Sequence, residues 1–142
     1  MSCTFLQARD DMMKIVTDAW VAANPTYPLV YDDMPTDGPP ETKLPWARLT
    51  LRHNRGEQET LTNAIGQRLF GRDGLLTVQI FTPRGEGLTR AYQLAKVVAD
   101  ALEGKSTPNG VWFRAVRIRE VGPDGGWFQL NVTADFEYNE AK

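Results

Sequence analysis

One stretch, residues 74–104, constrains the fold more than any other because its apolar period changes in the middle. Its first part alternates apolar and polar residues, with Leu76, Val78 and Ile80 on one side, which predicts a β-strand. After a Thr-Pro-Arg-Gly-Glu-Gly turn the apolar spacing becomes three and four, which predicts an amphipathic helix that ends at Gly104. The predicted inward positions of this helix are Leu88, Ala91, Tyr92, Ala95, Val98, Ala99 and Leu102.

Two elements and a proline-rich loop precede the first hairpin. Residues 5–23 are predicted to form a helix, and Thr4 and Gln7 match the capping box that begins many helices. Residues 27–31 form at most a short edge strand, because proline cannot join a central ladder of hydrogen bonds. The acidic segment 32–45 that follows is predicted to be an exposed loop.

The first predicted hairpin joins a strand at 46–53 to the strand that begins near residue 67. About a dozen polar residues, 54–66, lie between them, so the tip is expected to project beyond the body. The Gly-Arg-Asp-Gly sequence at 71–74 predicts a bulge or a bend in the second strand.

A second predicted hairpin, of residues 111–121 and 127–138, turns through Gly-Pro-Asp-Gly-Gly. Together the elements predict an α+β fold, with a mixed, mainly antiparallel sheet and two helices packed on one face. At 142 residues the chain is expected to form a single domain over residues 1–142.

Composition excludes several classes of protein. No run of apolar residues is long enough to span a membrane, and the first residues lack a signal-peptide pattern, so a cytoplasmic protein is predicted. The charged residues form no polybasic run, so binding to duplex DNA through its phosphates is not indicated. Arginine outnumbers lysine 11 to 5, which weakly favours protein–protein contacts.

Catalytic chemistry is poorly supported. His53 is the only histidine and Cys3 the only cysteine, so a two-histidine metal site is impossible and a Cys–His pair would require Cys3 to lie beside His53. The turn at 83–87 precedes a helix as phosphate loops do, but it lacks their glycine and lysine spacing. No catalytic residue, metal ligand or cofactor is predicted, and the chain is not expected to be an enzyme.

Aromatic and arginine side chains on the strands indicate a contact surface. Tryptophans fall opposite the apolar positions of their strands, which favours either an exposed hot spot or a second covering layer. Arginines on the same strands should point away from the core, paired either with Asp135, Glu137 and Glu120 or with the acidic loop of a neighbouring subunit. The candidate interface residues are Trp46, Arg48, Arg52, Arg117, Arg119, Trp127, Asp32, Asp33, Arg55 and Glu57.

Three segments, PWARLTLRH, FGRDGLLTVQIFTPRGEGLTRAYQLAKVVADALEG and NGVWFRAVRIREVGPDGGWFQLNVTADFEY, resemble the tail terminator, or tail completion, proteins of long-tailed bacteriophages, some of them encoded by prophages. This resemblance implies a six-fold ring that caps the tail tube, stops its growth and presents a surface to the head–tail connector. The implied partners are other copies of the chain, the tail tube protein and the connector protein, with assembly in the host cytoplasm and a final place in the virion. A head–tail joining protein, or distantly a small-ligand module at the 83–87 turn, is the alternative.

Overall fold

The computed structural model describes residues 3–32, 44–62 and 64–142, except for the side chains of Arg55 and Asp124. Two helices and five strands follow one another along the chain: α1 (Phe5–Ala23), β1 (Leu29–Tyr31), β2 (Trp46–Gln58), β3 (Leu69–Pro83), α2 (Thr89–Leu102), β4 (Trp112–Asp124) and β5 (Trp127–Ala141). The exposed loop predicted at 32–45 lies, apart from its ends, outside the described residues.

The five strands form one sheet in the order β1-β2-β3-β5-β4. β1 runs parallel to β2, and the other three pairs are antiparallel, so the predicted mixed, mainly antiparallel sheet is confirmed. β3 lies at the centre and pairs with β5 from Leu69 opposite Ala141 to Pro83 opposite Trp127. The strand that the apolar alternation singles out is therefore the one around which the sheet is built.

Both helices cover the same face of the sheet and form the core with it. The capping box at the start of α1 is confirmed, since the Gln7 amide donates to Thr4 Oγ1 at 3.1 Å and the Thr4 amide donates to Gln7 Oε1 at 2.9 Å. Gly104 follows α2 with a φ of +66°, as its predicted terminating role requires. The fully buried large side chains include Met12, Val16, Trp20, Leu76, Val78, Ile80, Val98, Leu102, Leu130, Val132, Phe136 and Tyr138.

Two of the predicted inward positions of α2 are wrong. Leu88 and Tyr92 are both exposed, whereas Leu94 is buried. The helix begins at Thr89, so Leu88 precedes it and has only the N-cap position. Tyr92 lies at the margin of the sheet, where its hydroxyl donates to Glu120 Oε1 on β4 at 2.5 Å. The buried stripe therefore runs through Ala91, Leu94 and Val98.

The predicted irregularity near Gly71–Gly74 lies on the neighbouring strand. β3 is continuous through these residues, and the register shift falls in β2, between His53 and Arg55. Gly74 is needed because the β2 backbone approaches it closely: a Cβ atom there would lie 2.1 Å from the Arg52 carbonyl oxygen. The glycine thus permits the bulge in β2 instead of bending its own strand.

Candidate functional site

The outer face of the sheet, defined here as the face without helices, carries the predicted arginines. Strand register brings side chains from four strands into rows across this face. From β2 to β4 one row consists of Arg48, Gln79, Asn131 and Arg119, and the next of Thr50, Thr77, Thr133 and Arg117. A strip of amides and hydroxyls is therefore bordered by arginines along β2 and β4.

Acidic residues of the same subunit pair with one of these arginines, Arg117, and with the neighbouring Arg114. Arg117 Nη2 lies 3.7 Å from Asp135 Oδ1, and Arg114 pairs with Glu137. Asp135 thus pairs within the subunit with a predicted interface arginine, whereas Glu137 pairs with Arg114, which is not among the predicted interface residues. Glu120 belongs to a different contact: its carboxylate accepts the Tyr92 hydroxyl, and this hydrogen bond lowers the pKa of Glu120.

The β2 edge holds another internal ion pair. Arg52 Nη1 lies 3.1 Å from Asp32 Oδ2, where β1 ends. Asp33, the second predicted acidic partner, lies outside the described residues. To pair with a neighbouring subunit, as predicted, Asp32 would have to break its contact with Arg52. This ion pair is exposed to water and contributes little free energy.

Trp46 is covered within the subunit. Its exposed fraction is 1%, and its ring stacks on Phe81 with centroids 4.3 Å apart. Trp127 meets it edge-on at 6.3 Å, and Val30 completes this small apolar cluster on the outer face. Trp46 is therefore buried among neighbours on its own sheet, neither exposed nor shown to lie under a second layer, and the outer face is not uniformly polar. The Arg48 guanidinium lies 5.5 Å from the Trp46 ring centroid, a cation–π contact.

The tip of the β2–β3 hairpin carries apolar side chains that the sequence analysis did not single out. Leu61 has an exposed fraction of 101% and Ile65 one of 88%. The signal was available, because both interrupt an otherwise polar segment. Of the predicted tip residues, Glu57 is exposed and lines a shallow concavity with Trp112 and Glu137, whereas the side chain of Arg55 is outside the described part.

A groove of about 480 Å³, called here the edge groove, lies between the first half of α1 and β2. It exists because β1 pairs with β2 only from Ala47 to Leu49. From Thr50 onward no described strand covers that edge of β2. Apolar side chains dominate the lining, with charged groups at the rim: Phe5, Met13, Tyr31, Leu49, Leu51, Arg9, Asp32, Arg52 and His53.

The titratable groups near the edge groove have structural partners. His53 Nε2 lies 2.8 Å from the Tyr138 hydroxyl, and burial, with the charge of Arg72, lowers the pKa of His53. Burial raises the pKa of the Tyr138 phenol to about 12. Burial also raises the pKa of the Cys3 thiol to about 11, which keeps it protonated near neutral pH.

The 83–87 turn presents an acidic side chain before α2. Gly85 and Gly87 adopt φ values of +93° and +85°, which fits their predicted role as turn residues. Arg90 Nη1 donates to Glu86 Oε2 at 3.3 Å, so the carboxylate is held near the helix start. Over residues 3–32, 44–62 and 64–142, no group of three potential metal ligands is found. Neither described helix has the length and apolar character needed to cross a membrane.

Comparison with known families decides the classification. The profile of the family described as phage tail terminator protein matches residues 9–136. The chain belongs to the phage tail terminator family. Membership of this family makes it a phage tail-associated protein, in agreement with the resemblance read from the sequence.

Solved structures share the fold of this tail terminator-family chain. A protein without a functional description matches with a TM-score of 0.71 at 15% identity, over 96% of each chain. A chain from the virion of a native gene transfer agent particle matches with a TM-score of 0.53 at 15% identity, over 92% of each chain. No curated protein sequence matches the chain.

Proposed function

We propose that six copies of this chain form a ring that caps the completed tail tube, stops the addition of tube subunits and presents a surface to the head–tail connector. The match of residues 9–136 to the tail terminator family carries this proposal. Its partners are further copies of itself, the tail tube protein and the connector protein. The ring would assemble in the host cytoplasm and remain at the neck end of the tail.

A closed ring requires two different surfaces on each subunit, because its contacts run head to tail. The chain has such surfaces on different parts of the fold, namely the edge groove beside α1 and the hairpin tip beyond β2 and β3. The outer face remains available for another partner in the tail. Its arginines, Arg48, Arg52, Arg117 and Arg119, suit planar contacts with carboxylates or backbone carbonyls of that partner.

Tube length is the property that tests termination. Tail tube protein should be polymerised with and without the purified chain, and tube lengths measured by negative-stain electron microscopy. With the chain present, we expect a limited length distribution and ring density at tube ends. Equal length distributions in both samples would contradict the proposed function.

The same imaging on phage particles separates this function from the head–tail joining alternative. If the chain is a terminator, deletion of its gene should give tubes of abnormal length that carry no heads. If it is a head–tail joining protein, the tubes should have normal length and also carry no heads. Tube length, scored on particles from the same lysate, therefore distinguishes the two.

A further inference from the structure

We propose that the ring closes when the hairpin arm of one copy inserts Leu61 and Ile65 into the edge groove of the next. The arm is defined by the described tip residues 59–62 and 64–68. This inference rests on the proposed function, since it names the subunit contact that a terminator ring would use.

The arm presents apolar surface that its own subunit does not cover. Leu61 and Ile65 are the two most exposed large apolar side chains in the described part of the chain. Single exposed aliphatic residues are ordinary, but Leu61 and Ile65 are both exposed on the same hairpin tip. The tip is also held in shape, because Gln58 Nε2 donates to the carbonyl oxygens of Thr60 and Thr62 at 2.9 and 2.8 Å.

Further hydrogen bonds join the two sides of the arm. The Glu59 amide donates to the Leu69 carbonyl at 2.7 Å, and the Leu69 amide donates to Thr60 Oγ1 at 3.1 Å. The Gln67 amide donates to the Ala64 carbonyl at 3.0 Å. Because these hydrogen bonds already order the backbone of the arm, the arm loses less conformational entropy on binding than a flexible loop would.

The edge groove offers what such an arm needs. Its lining is apolar where Leu49, Leu51 and Met13 meet, and Phe5 remains 46% exposed at its mouth. Its volume of about 480 Å³ accommodates more than one aliphatic side chain. The backbone of β2 beyond Leu49 also has an open edge among the described residues, so an incoming chain can form peptide hydrogen bonds there.

We take the occupant of the edge groove to be the arm of a second copy of this chain. Leu61 is fully exposed, so it does not enter the groove of its own subunit. Arg9 and Arg52 at the rim have mostly exposed side chains, and Glu59 at the base of the arm is exposed as well. Exposed ion pairs such as Arg52–Asp32 exchange at little cost, so these arginines can meet the acidic base of the incoming arm.

Three variants test the contact. Leu61→Asp/Ile65→Asp removes the arm's apolar surface, and Phe5→Glu places a charge at the groove mouth, near a helix N-terminus that tolerates acids. Val121→Asp is the matched control, because Val121 is 55% exposed and belongs to neither surface. Sedimentation velocity of the concentrated protein and imaging of capped tails should show rings for the parent and the control. We expect at least a tenfold weaker association for the arm and groove variants.

A mixing experiment tests the head-to-tail direction. The arm variant keeps a sound groove and the groove variant keeps a sound arm, so an equimolar mixture has one competent contact per pair. We expect dimers, and neither rings nor longer oligomers. The melting temperature of the arm variant should equal that of the parent, because Leu61 and Ile65 lie outside the core. An unchanged melting temperature would exclude misfolding as the cause of its weaker association.

The outcomes separate the contact from the function. If the parent forms rings and the arm variant forms them equally well, the arm-to-groove contact is overturned and the ring stands. If the arm variant is impaired but its mixture with the groove variant restores full rings, the contact is not head to tail and the inference fails. If the parent forms no ring, either in concentrated solution or on tails, the proposed function itself is overturned.

Discussion

His53 on β2 and Tyr138 on β5 share a hydrogen bond across the central strand, with His53 Nε2 2.8 Å from the phenolic oxygen. Gly74 on β3 lies between the two strands, opposite His53 on one side and Phe136 on the other. The missing side chain of Gly74 leaves room for the Arg52 carbonyl oxygen and the Phe136 ring, and this ring meets the His53 imidazole edge-on at 5.0 Å. One glycine, one histidine and one tyrosine thus join three strands at the end of the core nearest the arm.

Gly74→Ala should destabilise the fold, because the new Cβ would lie 2.1 Å from the Arg52 carbonyl oxygen and 2.5 Å from Phe136 Cζ. We expect a loss of about 1–3 kcal/mol in the free energy of unfolding. Gly71→Ala is the control, since its nearest contact is the flexible Glu59 carboxylate. Urea unfolding of both variants measures the difference, and equal losses would contradict the close-approach role of Gly74.

His53 makes stability depend on pH. Its pKa is lowered from 6.5 by burial and by Arg72, so the unfolded chain binds a proton before the folded chain does. The contribution of neutral His53 is therefore complete above pH 6.5 and is lost as the pH falls through the folded-state pKa. His53→Gln should flatten the stability curve between pH 7 and 5.5, as measured by urea unfolding. A slope that survives in this variant would show that another group is responsible.

Glu140 ties the start of α1 to the sheet. Its carboxylate accepts the Phe5 amide at 3.0 Å and pairs with Arg72 at 3.0 Å. Burial alone would raise the pKa of Glu140, but these two partners outweigh it and lower the pKa. Glu140→Ala should cost about 1–3 kcal/mol, because the partly buried Arg72 guanidinium and the Phe5 amide both lose their acceptor.

The control for Glu140 is Asp18→Ala, which removes an exposed pair with Lys14 on the same helix. That variant should change the free energy of unfolding by less than about 0.5 kcal/mol. Chemical unfolding at pH 7 compares the two. If both variants lose the same stability, the Glu140 contact has no special role.

Val98→Asp tests the inward face of α2. Val98 is fully buried in the core, so the variant would place a carboxylate where no partner can reach it. We expect a cost of several kcal/mol, about 3 or more, and little soluble protein on expression. Gln93→Asp, on the exposed side of the same helix, should express and melt like the parent. Normal melting of the Val98 variant would mean that the helix faces the other way.

Arg117→Glu/Arg119→Glu tests the outer face as a partner surface. The Arg117–Asp135 pair is long and exposed, so the melting temperature of the subunit should hardly change. Capping of tail tubes should weaken, because the two introduced glutamates would repel an acidic partner that the arginines attract. Lys96→Glu/Lys105→Glu is the control on the helix side. Normal capping by the arginine variant would remove the outer face from the candidate interfaces.

Local patterns in the sequence determined the elements and their inward sides. The capping box placed the start of α1, and the alternation of Leu130, Val132 and Phe136 placed β5 with the correct side buried. Both signals depend only on neighbouring residues, because a helix repeats every 3.6 residues and a strand every two. The family followed from the same short segments, which the profile match confirms.

Only the tertiary structure decided what covers each surface. Periodicity shows that Trp46 opposes Ala47, but not that Phe81 and Trp127, far from it in sequence, pack against its ring. The bulge was assigned to β3 because glycine marks a close approach, while the approaching backbone belongs to β2. The edge groove likewise depends on where β1 stops beside β2. These features arise from contacts between residues far apart in the chain, which a local pattern does not encode.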